Sequence, residues 1–379
     1  MVKRIRIVQI LEATAGGTRR HLYDLVTHLD PAAFEVSVIA STGREPGFAG
    51  DMEAFAAQGI RTAVVHMPRA VRPAADRRAL GELRRLLGEW RPEVVHTHSS
   101  KAGFLGRLAA RQAGVPASLY TPHCFAFEME VCGLRKWLYA RLERHAARWC
   151  RRLVCVCDHE RRQALARRIA DPAQLVVIEN GVAPVPPASP IPREALGLSA
   201  AHCVVGLVGR LSPQKGHEAF LDAAARAVRT HPQLRFVFLG DGDRRPAIER
   251  KIGALGLRTR CVLLGQRDNA RAYYGCFDLV ALPSRWEALP YTLLDAMAAG
   301  RPVVATAVGG LADVVHETGC GEVVPLDDAE AMAAALGSLA GDAARRQELG
   351  GRGRAAVSGR FRLDSMVEKL SAVYRQCVD

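Results

Sequence analysis

The chain has 379 residues, 49% of them hydrophobic, and 52 lysines and arginines against 39 acidic residues give a formal charge of +13. That length and apolar content fit two globular domains with full cores and exclude a disordered or fibrous chain. No apolar run approaches a bilayer span, the start MVKRIRIVQI reads as a strand and not a signal peptide, and ten scattered cysteines form no secreted-type framework, so a reduced, cytoplasmic protein is expected.

In chain order, Ile5–Ile10 reads as a strand, followed by Gly16-Gly17 and a helix around His21 to Leu29. Without side chains at Gly16 and Gly17, a diphosphate can approach backbone N–H groups at a helix N-terminus. A plain tight turn explains the pair equally well, and the pattern is not G-x-G-x-x-G, which argues against a dinucleotide. Strands at Phe34–Ile39, Val94–His96 and Ala117–Tyr120 extend a βαβα rhythm that implies a parallel sheet covered by helices. His98, Ser99 and Lys101 follow the strand at Val94–His96 and are candidates for an acceptor side, against simple helix capping by Ser99 or Ser100. His123 lies just past the strand Ala117–Tyr120, the end at which open α/β sheets bind ligands.

The segment Leu134–Leu153 reads as a basic helix bearing Trp137, Leu138, Leu142 and Trp149 among Arg141, Arg144, Arg148, Arg151 and Arg152. It suits either a core-packed helix with a solvated basic face or an anionic bilayer surface. The apolar stretch Phe125–Val131 is a second candidate for lipid contact. Residues 1–180 carry +10 of the net charge and residues 181–379 only +3, so the field belongs to the first half. Cys155 and Cys157 form a C-x-C without a second pair at metal-ligand spacing, which favours packing over zinc.

Ala183–Pro192, APVPPASPIP, sustains neither helix nor central strand and is the expected linker. The strand rhythm then restarts at Cys203–Val208, Phe236–Leu239, Cys261–Leu264, Leu279–Leu282 and Val303–Ala305, and Leu363–Tyr374 closes the chain as an amphipathic helix. In VGRLSPQKGHEAF, Gly209 ends a strand, and Arg210 and Lys215 stand on a short loop before a helix. An arginine fork and a lysine point charge at a strand mouth suit phosphate oxygens. In PSRWEALPYTLLDAMAAGRPVVAT, Glu287 lies on a loop after a strand and Asp295 further on, in a helix.

GRLSPQKG followed by that second stretch resembles the retaining glycosyltransferases of family 4, whose signature is two acids separated by seven residues; here they are Glu287 and Asp295. The resemblance covers essentially the whole chain, including the Gly16-Gly17 loop, Asn180-Gly181-Val182 and the closing helix. It implies the α/β GT-B fold, with two Rossmann-like parallel-sheet domains facing across a deep cleft. The expected division is an acceptor-binding domain over 1–182, a linker over 183–192, a nucleotide-sugar domain over 193–360, and a helix over 361–379 returning toward the first domain.

The resemblance further implies that Glu287 contacts hydroxyls of the donor sugar and Asp295 those of the ribose, while Arg210 and Lys215 hold the diphosphate. Gly209 and the backbone of Ala288, Leu289 and Tyr291 would complete the donor loops, and His123 would be the active-site histidine near the reacting sugar. Two departures stand out: Asp295 replaces the usual Glu, and Ala288 the usual Gly. The expected activity is metal-independent and needs no cofactor. It is retaining transfer from a nucleotide sugar, UDP-hexose or UDP-N-acetylhexosamine ahead of GDP-mannose, to a hydroxyl acceptor. That acceptor is expected to be a lipid-linked saccharide in surface polysaccharide synthesis, met by a peripheral enzyme at the anionic inner face of the cell membrane. A GT-B epimerase and a catalytically silent interaction protein are the alternatives. Nucleic-acid binding is not expected, because no stacking array or recognition module accompanies the charge.

Overall fold

The structure is a computed structural model describing residues 3–45, 47–184 and 191–378. Most of the expected proline-rich linker, residues 185–190, lies outside the described residues. The chain divides into two units, Met1–Asn180 with Leu363–Asp379, and Gly181–Arg362.

In the first unit, β-branched and aromatic runs build seven parallel strands: β1 (Ile5–Leu11), β2 (Phe34–Ala40), β3 (Arg61–Val64), β4 (Val94–His98), β5 (Ala117–Thr121), β6 (Arg152–Cys155) and β7 (Leu175–Val177). Their order is β3-β2-β1-β4-β5-β6-β7. β3 and β7 escape sequence reading because they are short and half-exposed sheet edges. β1, β4 and β5 are buried almost throughout, as expected of central strands covered by helices on both faces.

The final helix, Leu363–Val378, belongs to this unit and buries Leu363, Met366, Leu370, Tyr374 and Cys377. The basic helix corrects the expectation of one element over Leu134–Leu153. It spans Gly133–Ala147, and Arg152–Cys155 pairs instead with β5 and β7, where its buried apolar side chains complete the sheet. Trp149 is therefore off the helix, packed against Phe104 at 5.5 Å and His145 at 4.9 Å. Phe125 and Phe127 stack 4.7 Å apart and are fully buried, which removes them as lipid contacts.

The second unit repeats the plan with β8 (Cys203–Val208), β9 (Leu234–Leu239), β10 (Cys261–Gly265), β11 (Leu279–Leu282), β12 (Val303–Thr306) and β13 (Gly321–Val324). All are parallel, in the order β10-β9-β8-β11-β12-β13. The backbone N–H of Val182 donates to Phe361 O at 2.9 Å, so both ends of this unit meet in one bridge.

In each sheet the strand order reverses once, between β1 and β4 in the first and between β8 and β11 in the second. The carboxyl ends of strands at such switch points are where open α/β sheets bind ligands.

Candidate active site

The second unit gathers its ligand-type residues at the β8–β11 switch point. After β8, Gly209 takes φ 142°, Arg210 is exposed, and a short 3-10 turn over Pro213–Lys215 leads to Gly216 and the helix His217–Thr230. After β11, residues Pro283–Pro290 form the loop before the helix Tyr291–Ala298. The two loops are laced together: Arg285 N donates to Gln214 O at 2.8 Å, and Gln214 Nε2 to Trp286 O at 3.1 Å. Gly216 sits so close that a Cβ there would lie 1.9 Å from Pro283 O.

Lys215 Nζ stands 2.6 Å from Glu287 Oε1, and Ser284 Oγ donates to the same oxygen at 3.0 Å. The sequence assigns Lys215 to phosphate and Glu287 to sugar, and the structure joins them as one ion pair. Glu287 is buried, so the ammonium compensates a carboxylate held out of water. From the other side, the backbone of Glu287 is held by a contact that sequence reading missed. Gly309 begins the helix Gly309–Thr318 with φ 51°, and a Cβ there would lie 1.9 Å from Glu287 O. The signal was the Gly309-Gly310 pair after a buried strand, the same pattern noticed at Gly16-Gly17.

Asp295 is buried in the helix Tyr291–Ala298, with its Oδ1 3.0 Å from Arg271 Nε. Arg271 also donates to Ala183 O at 2.7 Å. No spacing rule links Arg271 to Asp295, so this partner was invisible in the sequence. Ala288, Leu289 and Tyr291 are buried, and Tyr291 opens the helix that Pro290 caps without a side-chain bond.

In the first unit Gly16 has φ 61°, and a Cβ on it would meet nothing within 4 Å, while Gly17 is the next residue of the helix Gly16–His28. That conformation favours glycine, but the open space means no close backbone packing requires it. Lys101 donates to both oxygens of Asp76, at 2.7 and 2.8 Å, and to Ala70 O, so its charge is engaged. Ser99 is the N-cap of the helix Ser100–Gln112 and makes no capping bond, with φ 65°. The simple capping reading therefore fails at this residue.

His98 is fully buried and sits in a chain of polar side chains. His123 Nε2 and His98 Nδ1 are 3.1 Å apart, His98 Nε2 is 2.8 Å from Gln9 Oε1, and Gln9 Nε2 donates to Tyr374 Oη at 3.0 Å. Tyr374 Oη is also 2.7 Å from His96 Nδ1, whose Nε2 reaches Thr121 Oγ1 at 2.8 Å. With the Gln9 amide oriented this way, His98 donates from Nε2 and accepts at Nδ1 from His123 Nε2–H. Burial depresses the basicity of the whole cluster: His21 falls to about 4, His96 to about 3, and His98 and His123 well below the ordinary value. These imidazoles are neutral at pH 7.

His123 and Cys124 both adopt positive φ, 56° and 99°. Side-chain-bearing residues persist there only when surrounding structure over-determines them. Glu160 supplies part of that hold, accepting from Cys124 N at 2.6 Å and Val156 N at 2.7 Å, while burial pushes its carboxyl up to about 7. Sequence reading missed Glu160, which sits in the first turn of a separate helix, Asp158–Ala166.

Two parallel-sheet α/β units with ligand loops at their strand ends match the GT-B glycosyltransferase architecture. Residues 16–181 match the family described as "Glycosyl transferase 4-like domain", and residues 202–342 match "Glycosyl transferases group 1". The chain is 34% identical over 269 residues to the UDP-Gal:alpha-D-GlcNAc-diphosphoundecaprenol alpha-1,3-galactosyltransferase of Escherichia coli, covering 69% of this chain and 70% of that one. It is 33% identical over 306 residues to the 2-deoxystreptamine N-acetyl-D-glucosaminyltransferase of Streptomyces fradiae, covering 76% and 72%. In fold it is similar to Anabaena HepE, solved in complex with UDP, at TM-score 0.81 and 21% identity over 98% of this chain and 100% of that one. The chain belongs to the group 1 glycosyltransferases and is a glycosyltransferase that uses a nucleotide sugar.

Proposed function

We propose that the enzyme is a metal-independent, retaining glycosyltransferase that moves a hexose or N-acetylhexosamine from a UDP sugar to a hydroxyl of a lipid-linked saccharide, in the synthesis of a surface polysaccharide. The observation that carries this reading is the Lys215–Glu287 pair at the β8–β11 switch point, with Arg210 exposed on the same loop as Lys215. Arg210 and Lys215 are assigned to the donor diphosphate. Their charges oppose the negative charge that grows on the leaving group as the glycosidic bond breaks, so no cation is required for that task. Glu287 accepts from sugar hydroxyls, and Asp295, with Arg271, takes the ribose. His123, neutral and aimed by His98, serves the reacting sugar. The UDP donor and diphosphoundecaprenol acceptor in the Escherichia coli relative's name support these substrate classes.

The test is transfer from radiolabelled UDP-galactose, UDP-glucose and UDP-N-acetylhexosamines to a polyprenyl-diphosphate-linked GlcNAc, with EDTA present and the product's anomeric configuration read by NMR. An α-linked product formed in EDTA is expected. An inverted product, or a strict need for added cation, overturns the mechanism. Epimerised sugar nucleotide in the absence of acceptor would favour the epimerase reading instead.

The same reading places the enzyme on the anionic cytoplasmic face of the cell membrane. Among the described residues no helix is long and apolar enough to cross a membrane. The helix Gly133–Ala147, however, exposes Leu134, Trp137, Leu138 and Leu142. That spacing forms one apolar stripe, with exposed Arg135 at its edge and exposed Arg141 over the Trp137 ring.

A further inference from the structure

We propose that His21, His98 and His123 form a binding site for a first-row divalent transition ion, with zinc the best match, and that an ion held there withdraws His123 from the reaction. The second half rests on the role given to His123 above; the first does not.

One ring nitrogen from each of these three residues lies within 4.8 Å of the other two. His98 Nδ1 and His123 Nε2 are already 3.1 Å apart. Tetrahedral zinc with bonds of about 2.1 Å sets its ligand nitrogens about 3.4 Å from one another, so the cluster needs closing by at most about 1.4 Å. The rings come from three elements: the helix Gly16–His28, the end of β4, and the strained turn after β5.

The outer nitrogens make the stronger case. A metal-bound imidazole is normally fixed by a hydrogen bond from its other N–H to an oxygen. His21 Nδ1 lies 3.1 Å from Asn180 Oδ1, and His98 Nε2 lies 2.8 Å from Gln9 Oε1. Both contacts place the proton on the outer nitrogen and a lone pair on the inner one. His96, the fourth ring of the cluster, is excluded because Tyr374 and Thr121 engage both its nitrogens. Burial also keeps the three imidazoles neutral, the form that binds metal.

Binding takes up the His98–His123 hydrogen bond. The proton on His123 Nε2 moves to its Nδ1, and both inner lone pairs then face the ion, so no net proton release is needed. Three neutral imidazoles with a fourth position left open suit zinc, copper, nickel and cobalt, and not magnesium or calcium. A coordinated His123 cannot meet a sugar hydroxyl through that nitrogen.

The test uses the full chain, stripped with EDTA and titrated with Co²⁺, whose visible ligand-field bands report tetrahedral nitrogen ligation, followed by displacement with Zn²⁺. One equivalent is expected to bind. His21→Gln should abolish the bands, and Asn180→Ala should weaken binding roughly 10–100-fold by freeing the outer nitrogen of His21. Cys132→Ser, which removes an exposed thiol, should bind as the parent does. Folding of each variant is checked by circular dichroism. Absence of stoichiometric binding, or bands retained by both His21→Gln and Asn180→Ala, overturns the site. Transfer activity should fall in step with occupancy and return with EDTA. Full occupancy with unchanged or increased transfer leaves the site standing and overturns the withdrawal of His123.

Discussion

Arg210 and Lys215 are both assigned to the donor diphosphate, yet their surroundings differ. Arg210 is exposed and has no ion pair among the described residues, whereas Lys215 holds the buried Glu287 at 2.6 Å. Replacing either with alanine should lower turnover by about 10²–10³, the scale of losing one contact to charge that peaks in the transition state. Thermal melts should separate the two. Arg210→Ala should melt with the parent, and Lys215→Ala earlier, because it leaves a buried carboxylate without its partner. Near-parental turnover in both variants would remove the phosphate assignment. At this scale the sequence was most legible at Lys215 and Glu287, two motifs 72 residues apart that the structure joins in one ion pair. Arg271 was hidden because its partner comes from another element, and nothing in a linear pattern ranks one surface arginine above another.

The helix Gly309–Thr318 and the loop carrying Glu287 touch backbone to backbone. A methyl group at Gly309 would meet Glu287 O at 1.9 Å and force an L-residue to φ 51°, so the loop must move. Gly309→Ala is expected to raise KM for the donor and lower turnover together, while a Gly16→Ala control, with nothing within 4 Å of the new methyl, should be milder. Steady-state kinetics of the two variants make the comparison. The strands around these loops could be read from apolar runs, since central parallel strands are buried on both faces. The histidine chain could not. In the paired register His96 lies beside Gln9 and His98 beside Leu11, and that pairing follows only once β1 and β4 are known to be neighbours. The end of the basic helix was misread for a related reason. Arg148–Arg152 continues a helical charge pattern, but the sheet needs the apolar residues that follow.

For the whole molecule, the buried histidines make stability depend on pH. The folded-state values of His21 and His96 are depressed to about 4 and about 3, while the unfolded chain protonates near 6.5. At these rings the native form therefore binds fewer protons than the unfolded form across that interval; Glu160, raised to about 7, acts in the opposite sense but is one group against several buried histidines. Stability is fully present above pH 6.5 and falls as pH drops toward 4. Urea melts at pH 7.5 and 5.0 should show the lower midpoint at pH 5.0. An unchanged midpoint would mean that these rings are not buried neutral. The exposed stripe makes a second whole-molecule prediction, of binding to anionic vesicles, weaker binding to neutral ones, and release by salt. Surface arginines contribute about 1 kcal/mol each near such a bilayer and are screened within a Debye length. Trp137→Ser with Leu138→Ser should reduce flotation with anionic vesicles and leave nucleotide affinity unchanged. Arg144 is a poor probe, since its guanidinium already donates to the carbonyls of Arg167 and Arg168. Equal binding to both vesicle types would remove the electrostatic part of this reading.

The return of Leu363–Val378 to the first unit has a consequence for the order in which the protein comes into being. A nascent chain leaves the ribosome from its amino end, yet Gln9 and His96 must wait for the hydroxyl of Tyr374 until the whole second unit between them has been made. The second unit, by contrast, is one unbroken segment, closed by the bridge between Val182 and Arg362. The part synthesised later is thus free to finish folding first. Meanwhile the earlier part waits with its central strands partly uncovered, in the interval when exposed apolar surface most needs a chaperone.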